Sequence, residues 1–507
     1  MMSATRVLQA ADHGRLELES IVGVLSARFT VATGSKHVVR RRRLDTFDRR
    51  LHAAGFTLEH QIVAPGERLV LGRLDGSSTV AVPVQNLRWP ALADALPSGP
   101  VGDAIAPVVG IRALVVASDE RRRMWQLELC NEDGKTVARV ELDEPASVSS
   151  VAASPAQLTV RTLRGYDEQA RRACSLLVGL GLGLRAAERG GERESSSASK
   201  SSGTDRAVSA RVLLTAGLRD SLAAMRENLP GLLDDVDTEF LHDFRVAVRR
   251  TRATLKLGRP ALPDAMRSRW ELAFKRLGDL TTPVRDLDVY VLDLPMMNHW
   301  LVTSDPRDLD PLAAHLRVRR TVARRPLVAS LRSARFRQLV ADWEQELNRL
   351  AGLPQDGEHL SAGEWADASI LRAHRRVVRG GAAIRADSPA VELHELRKRC
   401  KELRYALEVC SPVVARGPRK RAIADLKELQ DVLGRFQDCD VQRHALRGFA
   451  EEMMTEGTSA AAVLAMGELI GHLDVDQVRA RREFDGAFAR FAGPSSQRLM
   501  HTFGGGR

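Results

Sequence analysis

Aromatic side chains are scarce in this 507-residue chain, at 4% of residues with only three tyrosines. Few platforms therefore exist for stacking nucleobases. Neither a Cys2His2 spacing nor an RNP-like run is present. The five cysteines, Cys130, Cys174, Cys400, Cys410 and Cys439, are scattered and form no CxxC pair. They suit thiols of a reducing compartment better than a disulfide or zinc framework. Long apolar runs are missing too, since the most apolar stretch, Ala173 to Leu184, is too short to cross a bilayer. The N-terminus lacks the apolar core of a signal peptide. No Gly-rich run ends in Gly-Lys-Ser/Thr, so a P-loop is excluded. The expectation is a soluble, cytoplasmic protein.

What the chain does have is positive charge, +11 formally, with a pI near 9.9. Residues 206–507 hold 49 Lys and Arg against 41 Asp and Glu, most of the excess. Such a balance favours an anionic partner, whether polyphosphate, nucleic acid or acidic lipid. The length allows two or three domains.

Two segments 152 residues apart carry the same charge pattern, with His242 over His394. The first reads Leu241-His242-Asp243-Phe244-Arg245, then Arg249, Arg250, Arg252 and Lys256. The second reads Leu393-His394-Glu395-Leu396-Arg397-Lys398, then Lys401, Arg404 and Tyr405. The offset persists downstream, where Lys275 lies over Lys427 and Arg285-Asp286-Leu287-Asp288 over Gln437-Asp438-Cys439-Asp440. One register held across separate motifs marks an internal duplication.

On a helix with His242 at zero, Arg249, Lys256, Arg245 and Arg252 fall at about 340°, 320°, 300° and 280°. Leu241, Phe244, Val248 and Leu255 occupy the adjoining arc of about 200–260°. The cations therefore border the apolar stripe instead of opposing it. A row in that position points into a groove between helices. Crowded cations repel unless a polyanion neutralises them, and arginine grips phosphate oxygens bidentately. The competing reading is a solubilising basic face balanced by carboxylates such as Asp243 or Glu402.

These residues resemble the CHAD domain, a family named for conserved histidines and an all-helical fold. The matching elements are His242 to Arg245 with Arg249, Arg250 and Arg252, the Arg285 to Asp288 segment, His394 to Lys398 with Lys401, Arg404 and Tyr405, and Leu433 to Asp438. The resemblance spans about 206–507. It implies two pseudo-symmetric helical bundles around a basic cavity that binds inorganic polyphosphate, and recruitment to polyphosphate granules. The implied binding residues are His242, Arg245, Arg249, Arg250, Arg252, Lys256, Lys275, His394, Arg397, Lys398, Lys401, Arg404, Tyr405 and Lys427.

Residues 1–160 read as β-rich. Trp125, Leu127 and Leu129 alternate with Gln126 and Glu128, and Asn131 to Lys135 signals a hairpin. Arg68 to Leu74 reads as a strand entering a turn at Asp75-Gly76. Several such strands suggest a barrel or strongly curved sheet. The segments Leu44 to Leu51, Gly55 to Leu58, Gly110 to Leu114 and Asp133 to Arg139 are similar to the CYTH domain, a triphosphate tunnel fold, over about 1–165. That resemblance implies an antiparallel β-barrel with metal-dependent phosphate chemistry.

The departures from that pattern bear on its chemistry. The family's opening ExExK survives only as Glu17-Leu-Glu19-Ser-Ile21, leaving Glu17 and Glu19 as the sole metal-ligand candidates. Leu58-Glu59-His60-Gln61 replaces Leu-Arg-x-Arg. Without those cations the expectation is a degenerate tunnel lacking triphosphatase activity, with Mg²⁺ or Mn²⁺ required only if it is active. The runs Arg40 to Arg43 and Arg121 to Arg123 read as solvated loops or as phosphate contacts.

The domain plan is thus a CYTH-like domain over 1–185, a flexible Ser/Gly-rich linker over 186–205 and a helical domain over 206–507. Arg164 to Tyr166 and Leu176 to Leu184 are expected to form helix closing the first domain. Breaks are expected near Pro354 to Gly363 and Ser411 to Pro418, and the tail from Gly493 is expected to fray. The Asp286/Asp288 and Asp438/Asp440 pairs fit either a divalent cation or carboxylates near helix ends that orient the arginines. No nucleophile accompanies the histidines, so no catalytic residue is assigned. Two alternatives stay open, a metal-dependent triphosphatase in the first domain and general nucleic-acid binding.

Overall fold

The computed structural model describes residues 5–10, 16–75, 78–146, 155–180, 182–184, 206–353 and 360–503. The expected linker at 186–205, part of the break at 354–359, Gly76 of the first turn and Gly504–Arg507 of the tail lie outside the described residues. The chain divides into two units, Met1–Ser197 and Ala198–Arg507.

Alternating apolar and polar side chains give the first unit one antiparallel sheet, of nine strands among the described residues. In chain order these are β1 Thr5–Ala10, β2 Thr30–Thr46, β3 Phe56–Val63, β4 Gly66–Arg73, β5 Thr79–Val84, β6 Leu114–Cys130, β7 Thr136–Pro145, β8 Gln157–Thr162 and β9 Leu182–Leu184. Their spatial order is β5-β4-β3-β2-β6-β7-β8-β1-β9. Helices α1 Leu18–Ser26, α2 Arg50–Ala53, α3 Pro100–Val109 and α4 Asp167–Val178 cover it. One core joins α1 and α4 to β6–β8, including Leu8, Leu25, Val140 and Leu177. A second, with Leu51, Leu58, Leu69 and Ile105, lies under α2 and α3.

Glu17 caps α1, Glu19 is in its first turn, and Ile21 is buried. Three expectations for this unit are corrected. The two arginine runs are not loops, because they lie in the central strands β2 and β6 with Arg40 opposite Arg121 and Arg42 opposite Asp119. The pleat sends alternate arginines to opposite faces. Arg40 and Arg42 meet Asp119 at 2.6 and 3.2 Å, whereas Arg41 meets Asp143 at 2.7 Å and Glu59 at 3.2 Å. Leu176 to Leu184 is helical only to Val178, and Leu182–Leu184 pairs with β1 instead. Helix α4 begins at Asp167, so Arg164 to Tyr166 precedes it as a turn with Gly165 at φ 90°.

The second unit is helical throughout, with ten α-helices among the described residues. They are α5 Ala210–Leu233, α6 Thr238–Leu257, α7 Asp264–Met297, α8 Asp310–Arg332, α9 Ala334–Ala351, α10 Ala362–Ala382, α11 Ala390–Val409, α12 Arg416–Thr455, α13 Ala460–Ala492 and α14 Pro494–His501. The offset of 152 survives in the helix ends. Helices α5, α6 and α7 start where α10, α11 and α12 start after that shift, and α6 and α11 are both 20 residues long. Ser209 and Ser361, the N-caps of α5 and α10, form an isolated antiparallel bridge. Around it the Ala210 N–H donates to the Leu360 carbonyl at 3.0 Å and the Ala362 N–H to the Val208 carbonyl at 2.6 Å. A pseudo-two-fold axis therefore passes between the two serines.

One core spans both repeats, from Phe244, Trp270 and Trp343 to Trp365, Leu396 and Phe491. A smaller one gathers the distal halves of α7 and α12 with α8 and α13. The tail from Gly493 does not fray at once, because α14 follows and Met500 and Phe503 are buried in the main core. The paired aspartates lie mid-helix in α7 and α12, not near helix ends.

Candidate functional site

Helix α6 is started by Asp237, whose carboxylate accepts from the Glu239 and Phe240 N–H groups at 2.9 and 3.2 Å. Its buried stripe is Phe240, Leu241, Phe244, Ala247, Val248, Thr251, Thr254 and Leu255. The stripe of α11 is Leu393, Leu396, Cys400, Leu403, Ala406 and Leu407, and both enter the same core. The two helices also pack on each other, each with its own neighbour behind it, α7 for α6 and α12 for α11. Their cationic edges meet along this seam.

Equivalent residues face equivalent residues there. Arg249 and Lys401, which the offset superposes, lie close enough that the Arg249 charge acts on the Lys401 ammonium. Burial, then Arg397 and Arg249, pull Lys401 below the ordinary lysine range, although the residue still reaches water. Neither Arg249 nor Lys401 has an ion pair or side-chain hydrogen bond among the described residues. Lys256 crosses to an ion pair with Glu402, which Arg376 also holds at 2.7 Å.

Each histidine meets the position 43 residues on. Burial, then the Arg285 guanidinium and, to a lesser degree, Arg249, lower the His242 pKa, with Glu239 and Asp243 opposing. At the matching place Gln437 Oε1 lies 2.7 Å from His394 Nδ1. Arg245 is half-buried and donates through Nη1 to Thr281 Oγ1 at 2.6 Å, Thr282 Oγ1 at 2.9 Å and the Gly278 carbonyl at 3.2 Å. Its partner by symmetry, Arg397, donates to Asp438 at 3.0 Å. Burial is the largest influence on Arg245 and lowers its pKa, with Arg249 adding repulsion and Asp286 opposing.

The aspartates divide their work. Asp438 orients Arg397, as expected of a positioning carboxylate. Asp288, 0% exposed, holds Arg320 at 2.5 Å and Asp440 holds Arg443 at 2.9 Å, neither of which belongs to the rows. Asp286 and Asp438 both lie near Tyr290, whose hydroxyl is pushed up to about 12 by burial and then by Asp286, Asp293 and Asp438. No cluster of three or more metal-ligating side chains occurs among the described residues.

The remaining candidates stand apart. Lys275 is exposed and pairs with Asp279 on its own helix at 3.1 Å, Lys398 pairs with Glu395 at 2.6 Å, and Arg404 with Glu408 at 2.5 Å. Arg250 and Lys427 are exposed and unpaired among the described residues, with Arg250 about 80° from His242 by helical spacing. Arg252 packs near Gly278, and Tyr405 is half-buried without a side-chain hydrogen bond among the described residues. Arg285, Gln437, Thr281 and Thr282 were absent from the sequence-based set. The offset that places Arg285 over Gln437 was the available signal for the first two.

Residues 216–447 match the sequence model of the CHAD domain. The helical unit carries a CHAD domain. Among solved structures, the CHAD domain of the plant Ricinus communis is 24% identical, covering 57% of this chain and 93% of that one at a TM-score of 0.48. PptA from Streptomyces chartreusis is 19% identical over 55% of this chain and 99% of that one, TM-score 0.43. The adenylyl-cyclase-like HpAC1 from Hippeastrum, described with a dominant triphosphatase activity, is 12% identical over 37% of this chain and 91% of that one, TM-score 0.28. No curated protein sequence matches the chain. Among the described residues no helix is long and apolar enough to cross a membrane. All five cysteines are free, and all but Cys130 are buried.

Within the CHAD domain the seam can do one thing well chemically. It offers guanidinium, ammonium and imidazole donors along neighbouring helix edges, a set suited to a multiply charged anion.

Proposed function

We propose that the CHAD domain binds inorganic polyphosphate non-covalently along the α6–α11 seam. The observation that carries this reading is the Arg249–Lys401 relationship, two symmetry-equivalent cations held near each other with no ion pair among the described residues, the nearby Asp438 being bonded to Arg397. Such an arrangement is costly in the free protein and is relieved by an anion that spans both repeats. A phosphate chain has the repeating charge for that, and a neutral His242 can donate a hydrogen bond to it. Association with polyphosphate granules in the cytoplasm is the cellular consequence of this reading.

The test is binding of long-chain polyphosphate to the full chain at physiological salt, with double-stranded DNA as competitor at equal phosphate concentration. Tight binding that DNA does not displace is expected. Equal displacement by DNA would reduce the seam to a generic polyanion surface. Weak binding of both would end the proposal.

A further inference from the structure

The first repeat contains a cavity of about 630 Å³ that the proposed polyphosphate seam does not use. Leu229 of α5 and Phe336, Leu339 and Val340 of α9 form its accessible wall, with Phe244 and Trp343 buried beneath. Its volume falls within the range of small-molecule pockets, which are mostly apolar with a few polar groups at one end.

The mouth of the cavity is cationic. Arg226, Arg332 and Arg337 line it. Arg226 is neutralised by Glu344 through bonds of 2.7 and 2.6 Å. Among the described residues Arg332 has a long ion pair with Asp234 at 3.8 Å, and Arg337 donates to the Arg332 carbonyl at 2.6 Å and pairs with no carboxylate. Two exposed guanidinium groups therefore stand at the edge of an apolar groove. That complementarity fits a single-chain amphiphile with a carboxylate head.

We infer that the first repeat of the CHAD domain binds a free long-chain fatty acid, tail along Leu229, Phe336 and Val340, carboxylate on Arg332 and Arg337. The test uses the full chain and follows displacement of the fluorescent fatty acid cis-parinarate by oleate. Saturable one-to-one binding is expected. It should disappear in Leu229→Trp, which fills the chamber, and weaken about tenfold or more in the double variant Arg332→Glu/Arg337→Glu. The double variant changes only exposed side chains, so it decides the matter even if Leu229→Trp does not fold. Oleyl alcohol, with the same tail and no charge, should bind about tenfold more weakly than oleate. Absence of saturable oleate binding, binding unchanged in the double variant, or equal binding of the alcohol would each overturn the inference.

Discussion

Arg249 and Lys401 are the same position in two copies of one helical repeat, and the fold brings them to the same seam. The Arg249 charge helps hold the Lys401 ammonium below its usual range, with Asp438 opposing, and neither residue has an ion pair among the described residues. Removing both charges should therefore separate function from stability. The Arg249→Ala/Lys401→Ala variant should lose about tenfold or more in polyphosphate affinity. Its thermal midpoint should stay level or rise, since exposed like charges contribute at most about 1 kcal/mol. Calorimetric titration and a melting curve on one preparation read both effects. A fall in both together would mean that the pair supports the fold.

Arg245 should behave differently, although it belongs to the same row. It is half-buried and its Nη1 donates to Thr281, Thr282 and the Gly278 carbonyl. Truncation leaves those acceptors short of a charged donor, at a cost of about 1–3 kcal/mol. Arg245→Ala is thus expected to lower the denaturant midpoint as well as polyphosphate affinity. Thr281→Val/Thr282→Val should reproduce part of the affinity loss by releasing the guanidinium. An Arg245→Ala variant as stable as the parent would show that these bonds do not anchor the row.

The duplication, the helix faces and the basic seam were legible because they repeat in sequence. Charge beside an apolar stripe, twice in one register, specifies both where α6 and α11 bury and which edge they share. Partners without periodicity were not legible. Nothing in the sequence pairs Arg245 with Thr281 across 36 residues, or marks Arg285 as the neighbour of His242. The β unit misled for a related reason. A run of four arginines reads as solvated until the two neighbouring strands supply Asp119 and Glu59 and the strand beyond supplies Asp143. The helical setting of Glu17 and Glu19 depended on Ile21 and Leu25 reaching the core. Helix α14 follows from Leu499, Met500 and Phe503, whose apolar face was outweighed by the glycines around it.

The pH response of the seam has a definite sign. Burial, with Arg285 and Arg249, places the folded His242 pKa below that of the unfolded chain, which is about 6.5. Both states are neutral well above that value, so His242 costs nothing there. As pH falls through about 6.5 the unfolded chain takes up the proton first, and folding stability declines. A bound phosphate chain reverses the local field and draws the proton back. Polyphosphate affinity should therefore rise as pH drops from 7.5 to about 6, with proton uptake on binding. His242→Gln should flatten both trends. Calorimetry in buffers of different ionisation enthalpy detects the uptake directly, and its absence at pH 6.5 would remove His242 from the binding site.

In the N-terminal unit, the cations facing β3 and β7 are already satisfied by the protein itself. Arg122, 1% exposed, pairs with Asp143 and with Glu120 at 3.1 Å, and donates to the Pro155 carbonyl at 3.0 Å. Arg41 shares Asp143 and meets Glu59, which stands where the resembled family carries an arginine. Guanidinium groups committed this way have little left to offer a triphosphate. The full chain should release no phosphate from tripolyphosphate with Mg²⁺ or Mn²⁺. Asp143→Asn should instead expose the structural role of the network, because it leaves two arginines short of a counter-charge in the sheet. A buried charge stranded in this way costs about 3 kcal/mol. The unfolding transition of the first unit should move to lower temperature, while polyphosphate binding by the CHAD domain stays unchanged. Metal-dependent phosphate release, or an Asp143→Asn variant that melts with the parent, would show that these cations remain available to a ligand.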